Sequence, residues 1–141
     1  MEKEEVRLAM NKFLKMYFES CEEVYNEINF GRITGRQFKF LKEIHLRKEV
    51  TLTELSKHFK VSKPYMTEVV NKFEESKIIE RTKSKNDKRV SFITLTEIGR
   101  TLATSNILES ARAVEKIYRK LSQNEIENLV LAFHRFGVEE E

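Results

Sequence analysis

Residues 51–81 read TLTELSKHFKVSKPYMTEVVNKFEESKIIER, and this stretch alone predicts two short helices meeting at a tight turn. Thr51 followed by Glu54 has the spacing of a capping box, in which each side chain takes up a free backbone N–H at a helix start. Leu52, Leu55 and Phe59 then fall on one face of a short helix. Lys60-Val61-Ser62 leaves room only for a tight connection, and Ser62 is placed to cap the next helix. Pro64 falls in the first turn of that second helix, where its missing N–H costs little. Met66, Val69, Val70 and Phe73 follow at the three- and four-residue steps of a buried stripe.

Downstream, Ile78–Lys83 and Arg89–Leu95 are rich in β-branched residues and flank the polar run Ser84–Lys88, which predicts a two-stranded hairpin with a charged tip. Thr96 is placed to cap one long helix carrying Ile98, Leu102, Leu108, Ala111, Tyr118 and Leu121. Ser122 with Glu125 makes a further capping box before Ile126, Leu129, Val130, Phe133 and Phe136. Upstream, Val6, Met10, Phe13, Leu14, Tyr17, Phe18, Cys21, Val24, Tyr25 and Ile28 predict one long amphipathic helix. The run Phe30–Gly35 breaks it with two glycines and supplies Thr34 as a cap for a helix through Phe38, Leu41 and Ile44. The fold class expected is mainly α with a small β-hairpin wing: a winged helix-turn-helix over 34–103, flanked by helical dimerisation regions over 1–33 and 104–141.

At 141 residues, 40% of them hydrophobic, the chain has the size of one folded unit. With 35% charged residues, no apolar run near the ~20 residues of a membrane span and an acidic start, a location in the cytoplasm and no membrane contact are expected. Cys21 is the single cysteine, so an internal disulfide and a multi-thiolate zinc site are excluded. His45, His58 and His134 show no paired ligand spacing, so neither metal nor cofactor is expected. The net charge of +3 is unevenly spread: residues 57–89 hold ten basic and five acidic residues, a net of +5, and the remainder carries −2. Charge alone fits two readings equally, a polyanion met by the middle third of the chain and a solvated lysine-rich face.

In a helix-turn-helix, one stripe of the second helix is buried to seat it and the opposite face reaches base edges and phosphates in the major groove. Off the stripe lie Ser62, Lys63, Tyr65, Thr67, Glu68, Asn71 and Lys72, with Pro64 in the first turn. Ser62, near a helix N-terminus, suits a phosphate contact, and Asn71 suits a two-bond contact to adenine. In the hairpin, Arg81, Lys83, Lys85, Lys88 and Arg89 form the basic set, with Arg89 the first choice for the minor groove, whose negative potential favours a guanidinium. Asp87, two residues before Arg89, is expected to fix that arginine rather than to touch DNA.

The 51–81 stretch, together with NDKRVSFITLTEIG at 86–99, resembles the MarR family of transcriptional regulators over most of residues 34–103. The first segment is similar to that family's helix-turn-helix and first wing strand, the second to its wing motif Asp-x-Arg followed by Leu-Thr-x-x-Gly. The resemblance implies an obligate homodimer joined by N- and C-terminal helices, a pseudo-palindromic operator, and release by a ligand or by oxidation. It marks Ser62 to Lys72 and the wing residues Asp87 and Arg89. Lys77 stands where the family usually has glycine, which implies a loosely ended recognition helix.

The apolar stripes at both ends exceed what one small core covers, so Val6, Met10, Phe13, Tyr17, Ile126, Leu129, Phe133 and Phe136 are the dimer-interface candidates. Cys21 offers a thiol-based redox sensor as a minor alternative, but Glu19, Glu22 and Glu23 would raise its pKa and a structural cysteine is the better reading. The sequence names no small-molecule effector. It has no Gly-rich phosphate loop and no nucleophile elbow, so an enzyme is not expected. The other classes compatible with the residues are a winged-helix protein-interaction module, for which this lysine-rich tip is poorly suited, and a sequence-neutral DNA binder.

Overall fold

A computed structural model describes residues 1–30 and 33–137. Gly31 and Arg32, to which the break after the first helix was assigned, lie outside the described residues, as does the end of the 104–141 region from residue 138. The chain divides into two units, one of Phe30–Ser105 and one of Met1–Asn29 with Asn106–Glu141.

The central unit holds α2 (Gly35–Arg47), β1 (Glu49–Thr51), α3 (Leu52–Phe59), α4 (Lys63–Glu75), β2 (Ile79–Lys83), β3 (Ser91–Leu95) and α5 (Glu97–Ala103). Thr34 caps α2 through a complete capping box with Gln37, and Ser62 caps α4 by accepting from the Tyr65 N–H at 3.3 Å. Pro64 sits in the first turn of α4, as its missing N–H allows. At α3 only half of the expected box forms. Thr51 Oγ1 accepts from the Glu54 N–H at 3.2 Å, while the Glu54 carboxylate lies 3.8 Å from Arg47 instead of turning back to Thr51.

The sheet has three strands, in the order β1-β3-β2, both pairings antiparallel, where the sequence predicts two. Val50 faces Ile93 across β1 and β3, and both are buried. A three-residue strand is too short to show alternation, and it exists because the edge of β3 offers partners for its backbone. The core of this unit is closed: Phe40, Leu41, Ile44, Leu55, Met66, Val70, Phe73, Ile79 and Leu102 are buried along with the sheet residues.

The predicted long helix after Thr96 is two helices, α5 and α6 (Ser105–Lys120), broken at Thr104. Thr101, Thr104 and Ser105 donate their hydroxyls to the carbonyls of Glu97, Arg100 and Leu102, competing with the helical ladder where it ends.

The other unit contains α1 (Lys3–Ile28), most of α6, α7 (Gln123–Phe133) and a 3-10 turn over His134–Phe136. Ser122 and Glu125 form the predicted capping box of α7. Arg112 bonds to Glu23 at 3.2 Å and Glu27 at 2.7 Å, and Lys116 reaches Glu23 at 2.8 Å, tying α1 to α6. Lys116 first, then Arg112, hold the Glu23 carboxyl below its usual range. Among the described residues only Val24, Ala113 and Ile126 are buried hydrophobics here, whereas Phe18, Ile107, Tyr118, Leu131 and Phe136 each remain at least 60% exposed.

Candidate nucleic-acid interface

Helix α4 is seated by Met66, Val70 and Phe73, all buried, with Val69 half-buried beside them. On its opposite side Ser62, Lys63, Pro64, Glu68, Asn71 and Lys72 are exposed, and Tyr65 and Thr67 are half-exposed. The side chains of this face are partly committed to each other. Lys72 pairs with Glu68 at 3.1 Å, and Thr67 Oγ1 donates to the Lys63 carbonyl at 2.8 Å. Tyr65 lies under the guanidinium of Arg36, 4.7 Å from its ring centroid. Arg36, Gln37, Phe40, Tyr65, Glu68 and Val69 line part of a groove of about 190 Å³ between α2 and α4. Neither Arg36 nor this groove was found from the sequence, because the stacking joins residues 29 positions apart and leaves no local pattern.

The end of α4 corrects the expectation of a loose boundary. Lys77 adopts a left-handed conformation (φ 60°), its N–H bonds the Glu74 carbonyl at 3.0 Å, and the Ile78 N–H bonds the Phe73 carbonyl at 2.9 Å. These are the two bonds of a Schellman cap, completed by lysine despite the steric cost of a Cβ at positive φ. The Leu95-Thr96-x-x-Gly99 run secures the same corner. Thr96 N–H donates to the Ile78 carbonyl at 3.0 Å, its hydroxyl lies 2.7 Å from the Lys77 carbonyl, and its oxygen caps α5 at the Gly99 N–H. A Cβ on Gly99 would stand 2.1 Å from the Ile78 carbonyl oxygen, so only glycine lets α5 start this close to the entry of β2.

The hairpin tip is ordered by its own side chains. Ser84 Oγ accepts from the N–H groups of Asn86 and Asp87 at 3.2 and 3.3 Å. Asp87 Oδ1 accepts from the Arg89 backbone N–H at 3.0 Å and from its Nε at 3.1 Å, while Oδ2 accepts from Nη2 at 3.1 Å. The Arg89 side chain nevertheless stays 90% exposed. Asp87 thus aims the guanidinium without covering it, and the pairing lowers the Asp87 pKa and raises that of Arg89. Lys83, Lys85 and Lys88 are exposed around the tip. Arg81 differs from them: its Nη2 donates to Asn71 Oδ1 and its Nε lies 3.5 Å from Glu74 Oε2. It is turned onto α4 rather than outward with the basic set, and the Asn71 carbonyl that adenine pairing would use already has a donor.

The interface candidates of the terminal unit divide. Val6, Met10, Phe133 and Phe136 are exposed. Phe13, Tyr17 and Leu129 are half-buried, and Phe13 packs on Phe133 with ring centroids 6.3 Å apart. Ile126, at 8% exposed, is buried within its own chain. Leu8, Leu14, Phe18 and Leu131, which the sequence reading left out of that set, are exposed on the same helices. The Cys21 thiol is pushed up to about 11, first by burial and then by Glu109, whose Oε2 it meets at 3.4 Å. The neighbouring glutamates 19, 22 and 23 are not the cause.

Residues 33–91 match the family model described as the MarR family. Among curated proteins the chain is similar to the HTH-type transcriptional regulator BilQ of Clostridioides difficile, with 24% identity covering 94% of this chain and 88% of that protein. The fold is that of YusO from Bacillus subtilis, with a TM-score of 0.71 and 14% identity over 97% of this chain and 95% of that one. It is also similar to a mutant of S. aureus MepR solved bound to an oligodeoxyribonucleotide, with a TM-score of 0.69 and 16% identity over 93% and 94% of the two chains.

Proposed function

We propose that this winged-helix chain, which matches the MarR family model over residues 33–91, is a sequence-specific double-stranded DNA-binding transcriptional regulator. In this reading it is a cytoplasmic repressor and a homodimer on a pseudo-palindromic operator, released by a small molecule or another signal. Residues 34–103 form the DNA-binding lobe, and 1–33 with 104–141 form the dimerisation region.

One observation carries the reading: a helix seated by Met66, Val70 and Phe73 offers an exposed polar face, and the same lobe carries a hairpin whose Arg89 is aimed by Asp87 and left in solvent. Such a pair suits α4 to the major groove and the tip to the adjacent minor groove. The solved complex of MepR with an oligodeoxyribonucleotide supports this partner. A second copy is supported by the apolar side chains left exposed on α1, α6 and α7, and two copies would read half-sites about 10 bp apart.

Selection of sites from a random duplex library, with sedimentation of the free protein, tests the reading. A palindromic motif bound by a dimer is expected. Arg89→Ala should then weaken binding to the selected site with an unchanged unfolding midpoint, and Lys85→Ala should reduce the salt slope by about 1. Equal affinity for all duplexes would point to sequence-neutral binding, and a monomer without preference for any duplex over heparin would overturn the reading.

A further inference from the structure

Asn71 on α4 and Arg81 on β2 are joined by a hydrogen bond from the guanidinium Nη2 to Asn71 Oδ1. A guanidinium has five N–H donors and no acceptor, so the amide atom facing it has to be the carbonyl oxygen, and chemistry fixes the flip of Asn71. Glu74, one helical turn beyond Asn71, holds the same guanidinium from another side, with Nε to Oε2 at 3.5 Å. The Arg81 side chain is 30% exposed, whereas Asn71 is exposed on the face that α4 offers to a ligand. With Oδ1 turned to β2 and one of its two lone pairs taken by Arg81, the end of the amide left wholly free for a ligand is Nδ2, which carries two donors and no acceptor.

We propose that Arg81 sets Asn71 as a donor-only reader, so that this position of α4 selects guanine over adenine. The proposal rests on the DNA-binding reading above and specifies its base preference. In the major groove guanine offers two acceptors, O6 and N7, whereas adenine pairs its N7 with an N6–H₂ donor and cytosine offers an N4–H₂ donor. An amide with both ends free pairs best with adenine. The Arg81 bond turns the acceptor half of that pairing toward β2 and occupies one of its two lone pairs, and the positive charge behind the amide further favours the acceptor-rich edge. Arg81 is a positioning residue here, because it acts through Asn71.

The test uses the full chain as wild type, Asn71→Ala, Arg81→Met and Glu74→Gln, each selecting sites from the same random duplex library. Wild type is expected to enrich guanine at one position of each half-site, and Asn71→Ala to lose discrimination there. Arg81→Met should let adenine rise at that position alone, changing the guanine-to-adenine ratio by roughly five- to 150-fold, the range of one good base contact. Glu74→Gln, which loosens Arg81 without removing it, should move the ratio the same way by less. Replacing that guanine with 7-deazaguanine should weaken wild type and leave Asn71→Ala unaffected, a readout that needs no change to Arg81. Adenine as the Asn71-dependent base in wild type, or a base preference of Arg81→Met and Glu74→Gln identical to wild type, overturns the proposal and leaves the DNA reading standing. Absence of any duplex preference overturns both.

Discussion

The central unit and the terminal unit are built from similar amphipathic helices, yet they differ in how far they satisfy themselves. Between Phe30 and Ser105 the apolar stripes of α2, α3, α4 and α5 and one face of the sheet close on a common core, and Leu46 and Ile98 are the large hydrophobics left exposed among the described residues. In the terminal unit α1 and α6 are longer than any helix of the lobe, yet little is buried, and apolar side chains from Val6 to Phe136 stand in solvent. The contrast separates a lobe that buries its own apolar stripes from a helical region that leaves many of its apolar side chains uncovered.

Core truncation should break the first half of this comparison most severely. Leu41→Ala, at a fully buried site, is expected to cost about 2–5 kcal/mol, read as a lower urea midpoint at fixed protein concentration. Gly99→Ala should follow at about 1–3 kcal/mol, since its Cβ would have to push α5 off the Ile78 carbonyl. It should also loosen the start of β2, seen as faster amide exchange at Thr96.

The double change Phe18→Glu with Leu131→Glu tests the second half. It should shift the sedimentation profile to monomer and leave the unfolding of the central lobe within about 0.5 kcal/mol, the usual range for surface substitutions. A profile unchanged by both charges would remove the case for an interface on these helices. The smallest effect is expected at Lys77→Gly, which relieves a Cβ at positive φ and should stabilise the lobe by roughly 0.5–1 kcal/mol, read in the same urea titration.

Much of the lobe was legible because its signals are local. Ser62 and Thr34 cap the helices that follow them, as Ser122 does in the terminal unit, and the Met66/Val70/Phe73 stripe is buried as its spacing predicts. Asp87 and Arg89 are two residues apart, so their pairing also falls within reach of a sequence reading. What escaped was of two kinds. Strand β1 and the break at Thr104 depend on partners or on competing hydroxyls that outweigh a continuous helical pattern. The stacking of Arg36 on Tyr65, the bond of Arg81 to Asn71 and the cause of the Cys21 shift join residues from different elements.

The amino-acid order by itself determined where helices begin, which faces are apolar and where basic side chains concentrate, because caps, periodicity and charge act over a few residues. Only the tertiary structure decided which polar groups are already spoken for. Arg81 was one cation among several in the sequence, and it became the partner of Asn71 when β2 was laid beside α4. Lys77 was read as a poor helix stop, and it holds a left-handed cap because Thr96 and Gly99 fix the corner around it. Hydrogen bonds act over about 3 Å, and folding alone brings groups distant in sequence to that range.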